Sequence, residues 1–371
     1  MTAMLPVLTS KDRSLAAVLQ SSFEAVKGRP NSLNLKHVKH AVIVLVDGLG
    51  ETNLLARKAH ARTLVKATGP SISAGFPSTT ASMLTSLMTG ADPGSHGLVG
   101  YSVRNPHTGL VVNQLSGLDS LDVRTWQPLP TIWEVEDQIP SAVIASPRYQ
   151  HSGLTEASLR GADYVPAANY ADRLDSIAHF LRSTARGVAY VYVPELDMTA
   201  HASGVESDQW IRRLEELDGF VADVARLLGP KDGMLVTADH GVIDVPDHHH
   251  IVIPSDSPLL QGVTTGGEPR CLHLYVDEPG RVDDVFELWR NAEGERATIV
   301  RRADAIDSGW FGQTTVEHAA RIGDIIVLPK GIRVYFDERV ATSGSRAMRG
   351  HHGGMSPAEM VVPLKRFGAF V

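Results

Sequence analysis

The chain has 371 residues, enough for one large α/β domain with an insertion or for two ordinary domains. Hydrophobic content of 43% and charged content of 21% are those of a soluble globular protein, and a net charge of −7 without a basic run argues against a nucleic-acid polymer as partner. The single cysteine, Cys271, excludes an intramolecular disulfide framework and a cysteine-based metal site; in RCLHLYV it reads as a buried strand residue.

The opening residues, MTAMLPVLTSKDRSLAAVLQSS, lack a basic start followed by an apolar core. No run approaches the roughly 20 apolar residues of a membrane span. A cytoplasmic location with no membrane partner is therefore expected for the chain as given. Residues 11–27 space Leu15, Val18, Leu19, Phe23 and Val26 helically and predict a surface helix. Residues 42–46 form an uninterrupted β-branched and leucine run, the mark of a parallel strand covered on both faces. Further strands are predicted over 64–67, 142–146, 189–193 and 234–237, and helices over 172–184 and 207–228. The last of these carries Trp210, Leu214, Leu217, Val221, Val224 and Leu228 on one face. Such alternation implies a mainly parallel sheet with helices on both sides.

Two stretches break the rhythm. Residues 92–135 are rich in Gly, Pro, Asn and Ser. Residues 244–346 carry their own strand, helix and strand signals, CLHLYVD, DVFELWRNA and ATIVRR, and are expected to form a smaller α/β subdomain or cap. The catalytic core would then comprise 1–243 and 347–371.

Asp and His residues follow the strand-like runs: Asp47 in AVIVLVDGLG, Asp197 and His201 in GVAYVYVPELDMTAH, Asp239 and His240 in GMLVTADHG, and His352 in RGHHGG. In an open α/β sheet the strand ends converge on one edge, so residues distant in sequence meet there. Three Asp and three His suffice to ligate two divalent metals. Asp197 and His201 are four apart, so a helical turn aims both the same way. The hydroxyl-rich turn FPSTTASMLTSLMTG sits beside them, and its residues 81–89 read as a helix with Thr80 at the amino end. Free N–H groups and the helix dipole favour a phosphate there. A metal-coordinated threonine is a usable nucleophile. Simpler roles stay open: Ser78, Thr79 and Thr80 are all capping residues, Asp47 before Gly48 suits a turn, and Asp239 suits a helix cap. The run His248, His249, His250 invites a metal reading but equally suits a solvated loop.

In wording and order, from Ala41 to Leu364, these segments resemble the alkaline phosphatase superfamily and, within it, the type I phosphodiesterase/nucleotide pyrophosphatase branch. The resemblance implies a three-layer α/β/α sandwich with a mainly parallel central sheet and a smaller inserted subdomain. It implies a two-metal phosphoester hydrolase acting on a small phosphoester or nucleotide through a phospho-threonine intermediate. Against the family pattern F-P-T-x-T-F-P-N-H-Y-S-L-L-T-G, counting back from Thr89-Gly90 makes Thr80 the nucleophile, with Thr79 as the alternative. One metal is implied at Asp197, His201 and His352, the other at Asp47, Asp239, His240 and the Thr80 oxygen. Mixed His and carboxylate ligands suit Zn²⁺ best, with Mn²⁺ or Fe as alternatives. His352 is preferred over His351 because the family's ligand immediately precedes a glycine, and His96 is implied to be structural.

The chain departs from the pattern after the nucleophile, where Ala81, Ser82 and Met83 replace Phe-Pro-Asn. The family's phosphate-contacting asparagine is also missing, which leaves Tyr101, Arg104 and Asn105 as candidate substrate contacts. A phosphomonoesterase, a phosphonoacetate-type hydrolase, a phosphomutase and an inactive metal-binding scaffold are the alternative functions. The absent C/S-x-P-x-R motif disfavours a sulfatase.

Overall fold

The computed structural model describes residues 13–371. The leader reading of positions 1–12, and the first two positions of the helix expected over 11–27, lie outside the described residues. That helix runs Ala16–Lys27 (α1) and stops at Gly28, whose φ of 68° is a conformation glycine adopts without strain. Among the described residues, no helix is long and apolar enough to cross a membrane.

Seven strands form the main sheet: His40–Val46 (β1), Ser71–Ser73 (β2), Ser141–Ala145 (β3), Asp163–Pro166 (β4), Gly187–Val193 (β5), Asp232–Thr237 (β6) and Val361–Gly368 (β7). Their spatial order is β2-β7-β6-β1-β5-β3-β4. The run from β6 to β4 is parallel; β7 lies antiparallel to β6, and β2 antiparallel to β7. Every residue of β1 is buried, as an apolar run without alternation requires of a strand covered on both faces. α1 and Thr80–Thr89 (α2) pack together on one face. Tyr170–Ser183 (α3) and Asp208–Leu227 (α5) pack together on the other, beside Glu195–Ser203 (α4).

Register positions the site. Val46 pairs with Val193 and Leu45 with Thr237, so β1, β5 and β6 end at one level. Asp47 leaves β1, Asp197 lies in the first turn of α4 just after β5, and Asp239 follows β6. Three segments separated by up to 192 positions thus deliver carboxylates to one edge.

The strand expected over 64–67 is instead a helix, Arg62–Lys66. Its apolar run is only Leu64 and Val65, and the Asp218 carboxylate of α5 accepts from the Thr63 and Leu64 N–H groups at 3.0 and 2.8 Å. A carboxylate gathering free amides fixes a helix start where periodicity alone is silent.

Within the segment 244–346, Val263–Glu268, Cys271–Val276, Ile325–Pro329 and Ala297–Arg301 pair antiparallel in that order as a second sheet. The helix Val282–Glu293 buries Val285, Phe286 and Trp289 against it. A separate apolar cluster joins Trp310, Phe311 and Ile326 of this segment to Phe76 and Ala81 beside α2. Phe76 meets Trp310 and Phe311 edge-on at centroid distances of 5.4 Å each.

Candidate metal centre

Beyond the strand ends lies a cavity of about 670 Å³ that reaches Asp47, Thr80, Asp197, His201 and His352. Asp197, His201 and His352 bring ligand atoms within 4.8 Å of one another, and so do Asp47, Asp197 and His240. Asp197 belongs to both groups. His240 Nε2 lies 3.2 Å from Thr80 Oγ1, 3.3 Å from Asp47 Oδ1 and 3.6 Å from Asp239 Oδ2. Four donors around one tetrahedral ion at 2.0–2.2 Å would stand a little over about 3 Å apart. His201 Nε2 is 3.2 Å from Asp197 Oδ2, and His352 Nε2 is 4.0 Å from Asp197 Oδ1.

The imidazoles are aimed by backbone. His201, His240 and His352 each turn Nδ1 to a carbonyl: Gly350 at 2.8 Å, Gly241 at 3.3 Å and Ser78 at 2.9 Å. A carbonyl only accepts, so Nδ1 carries the proton and the Nε2 lone pair is left for a cation held among the carboxylates. The His240 and His352 rings stack at 3.7 Å.

Asp47 Oδ1, Asp197 Oδ1 and Asp239 Oδ2 are buried and accept no hydrogen bond. Burial and the neighbouring Asp239 push the Asp47 carboxyl well above its ordinary range, and burial also raises Asp239. Uncompensated buried carboxylates are costly, so this donor set fits divalent cations. Tyr192 donates its hydroxyl to Asp47 Oδ2.

Thr80 opens α2, and the preceding residue, Thr79, makes no side-chain cap. Ser78 instead donates to the Gly354 carbonyl at 2.7 Å, away from α2. Tyr101 lines the cavity. Arg104 and Asn105, the other two candidate substrate contacts, do not. The Arg104 guanidinium lies over the Tyr275 ring at 4.7 Å, and the buried Asn105 Oδ1 accepts from His107 N–H at 2.9 Å. Asn105 is thus engaged within its own hairpin, Ser102–Arg104 with Val111–Asn113, and Arg104 against the second sheet.

Of the remaining histidines, His351 gives its ring to the Met348 carbonyl at 3.2 Å and joins neither donor group. His250 stands against His351 with Nε2 3.2 Å from the Val245 carbonyl, and His248 and His249 pair with each other, so none of that run reaches the carboxylates. His96 bridges Ser86 Oγ at 2.9 Å and Leu98 N–H at 3.2 Å, and burial lowers its pKa to about 3. Among the cavity residues that escaped sequence reasoning are Tyr190, Tyr192 and Glu268. The tyrosines had a signal, since they alternate on one face of β5 immediately before the Asp197 motif. Glu268, in VTTGGEPR, had none.

The family model for type I phosphodiesterase/nucleotide pyrophosphatase matches residues 41–355. The chain belongs to that family. It is a hydrolase family acting on phosphoester bonds, and with the donor groups above it identifies a metal-dependent phosphodiesterase. No curated protein sequence matches the chain. Among solved structures it is similar to murine ectonucleotide pyrophosphatase/phosphodiesterase 5, with a TM-score of 0.71 and 16% identity over 88% of each chain. An inactive variant of that enzyme in complex with AMP gives the same TM-score and identity, over 89% of this chain and 88% of that one. The human counterpart gives 0.70 and 17%, over 88% and 87%. At these identities the likeness speaks for the alkaline-phosphatase-like α/β fold.

Proposed function

We propose that the protein cleaves phosphodiesters or nucleotide pyrophosphates with two divalent ions and Thr80 as nucleophile. The observation that carries this is Thr80 Oγ1, at the amino end of α2 and 3.2 Å from His240 Nε2. Asp197, His201 and His352 would hold one ion and Asp47, Asp239 and His240 the other. Zn²⁺ suits this mix of nitrogen and oxygen, with Mn²⁺ or Fe as alternatives. Once bound, the ions would supply charge stabilisation and lower the pKa of a coordinated hydroxyl.

The chain's own residues do the rest. Thr80 Oγ1 attacks phosphorus in line as the bond to one alcohol of the diester breaks and that alcohol leaves, and free amides of the first turn of α2 hold phosphoryl oxygens. The phospho-threonine is then hydrolysed, releasing the monoester. Tyr101, Tyr149 and Tyr192 line the cavity and suit the base of a nucleotide, and AMP is the ligand bound by the structurally similar murine enzyme. The Arg148 guanidinium at the cavity is turned onto the Tyr149 ring at 4.4 Å, so it is not aimed at the second charge of a monoester. That favours diesters. We take 244–346 as an inserted subdomain that closes one wall through Glu268 and Pro269. The test is turnover of bis- against mono-p-nitrophenyl phosphate with added Zn²⁺ or Mn²⁺. The diester should have the higher kcat/KM; a monoester preference across metals would overturn the substrate assignment.

A further inference from the structure

One buried carboxylate in the cavity has no task in the scheme above. Glu268 ends the strand Val263–Glu268, lines the cavity and is 7% exposed, yet its Oε1 has no hydrogen-bond partner. The groups around it are otherwise engaged. His352 Nδ1 is 3.6 Å from Oε2 but gives its proton to the Ser78 carbonyl at 2.9 Å. Arg270 turns away, forking onto Glu359 at 3.0 and 2.8 Å. Gly353 closes one side so tightly that a Cβ there would lie 2.3 Å from Glu268 Cδ. The Thr79 hydroxyl is the remaining protein donor that reaches the carboxylate. An acceptor kept buried and unpaired at a ligand cavity is matched by a donor that arrives with the ligand.

Its position says which part of the ligand. Glu268 stands beside His352 and is reached by Thr79, the residue before Thr80, so it borders the place where the phosphoryl group would sit. We propose that Glu268 is a specificity-determining residue that reads an alcohol of the diester, so that the substrate is a phosphodiester with an alcohol that bears a hydroxyl or ammonium donor, as in a polyol or an amino alcohol. This rests on the phosphodiesterase reading and deepens it.

The probes are three phosphonates of one shape, propylphosphonate, hydroxypropylphosphonate and aminopropylphosphonate, titrated calorimetrically into metal-loaded protein. At least one donor-bearing probe should bind about tenfold to a hundredfold more tightly than propylphosphonate, the range of a hydrogen bond to a charged group. Glu268→Met should collapse that ratio toward one. Glu268→Gln, which keeps an acceptor but no charge, should retain part of a hydroxyl advantage and lose an ammonium advantage; either pattern supports the proposal and names the alcohol. Equal affinities for the three probes in the parent protein overturn it, as does a ratio unchanged in both variants. Loss of a metal equivalent in Glu268→Met would also overturn it, because the carboxylate would then be serving His352. Binding selectivity needs no turnover, so failure here is distinct from failure to hydrolyse bis-p-nitrophenyl phosphate.

Discussion

Replacing Arg270 with methionine should destabilise the protein far more than a surface charge change would. Arg270 sits in the turn between Val263–Glu268 and Cys271–Val276, with its side chain 2% exposed against a fully buried Glu359. Two of its nitrogens fork onto Glu359 at 3.0 and 2.8 Å, and Nη1 reaches the Gly331 and Arg333 carbonyls at 2.7 Å each. Glu359 also accepts the Gly354 N–H at 2.9 Å, two residues beyond His352. The pair therefore ties the second sheet to the loop that carries a candidate ligand. Arg270→Met leaves a buried carboxylate without its cation, which costs about 3–5 kcal/mol. If the chain unfolds in one step, Tm should fall by about 4–6 °C. Urea denaturation with and without metal measures the loss. Arg270→Lys keeps the charge but not the fork and should recover only part of it. Arg270→Met combined with Glu359→Leu should recover at least half, because both charges leave together. A loss under about 1 kcal/mol, or a double variant no better than the single, would refute the claim that this buried pair is a structural tie.

The other expectations concern metal, nucleophile, substrate and acid. Elemental analysis after reconstitution should find close to two equivalents of a transition metal, and a chelator should lower Tm; saturation at zero or one equivalent counts against the two-ion site. Thr80→Ala should abolish turnover while at least one ion still binds, and Thr80→Ser should keep partial activity; a larger loss in Thr79→Ala than in Thr80→Ala would move the nucleophile by one residue. Tyr101→Ala should reduce kcat/KM for nucleotide substrates more than for p-nitrophenyl diesters, and equal losses would remove Tyr101 from base recognition. His96 protonates at its ordinary 6.5 when unfolded but only near 3 when folded, so the unfolded chain binds the extra proton in between. Stability should therefore fall as pH drops from about 6.5 toward 3, by up to about 1.4 kcal/mol per unit for this residue, and His96→Gln should flatten that acid limb in pH-dependent denaturation.

The parallel core was legible because β1, β5 and β6 are covered on both faces and so read as unbroken apolar runs. The edge was less so. β7 contains Pro363 and Lys365-Arg366 and closes the sheet antiparallel, with its first residues on β2 and its last on β6; no apolar run announces it. The helix Arg62–Lys66 was misread as a strand because its start is set by Asp218, more than 150 positions away, rather than by its own pattern. Asp47, Thr80, Asp197, His201, Asp239, His240 and His352 were legible as a group for a topological reason. Asp47, Asp197, Asp239 and His240 follow strands whose ends the sheet register levels, and Thr80 opens a helix, so local sequence carries global position; His201 follows Asp197 by one helical turn, and His352 comes after the separate short strand Gly350–His351.

Residues brought to the cavity from outside that register carry no such mark. Glu268 arrives from the second sheet through a two-residue turn, and neither its neighbours nor its spacing distinguishes it from a surface glutamate. Arg104 and Asn105 show the converse. They lie in the loop that follows α2, as sequence order suggested, but the hairpin turns them onto Tyr275 and into its own backbone. Position along the chain therefore predicts proximity to the strand-end site where a strand end fixes direction, and fails where a loop does. For this chain, most metal-ligand candidates fall in the first class, whereas Glu268, proposed above to select the substrate, lies outside it. A family pattern can therefore carry the chemistry across while leaving the substrate open. Probing Glu268 and Tyr101 is then more informative about what this enzyme cleaves than any further change among the Asp and His ligands.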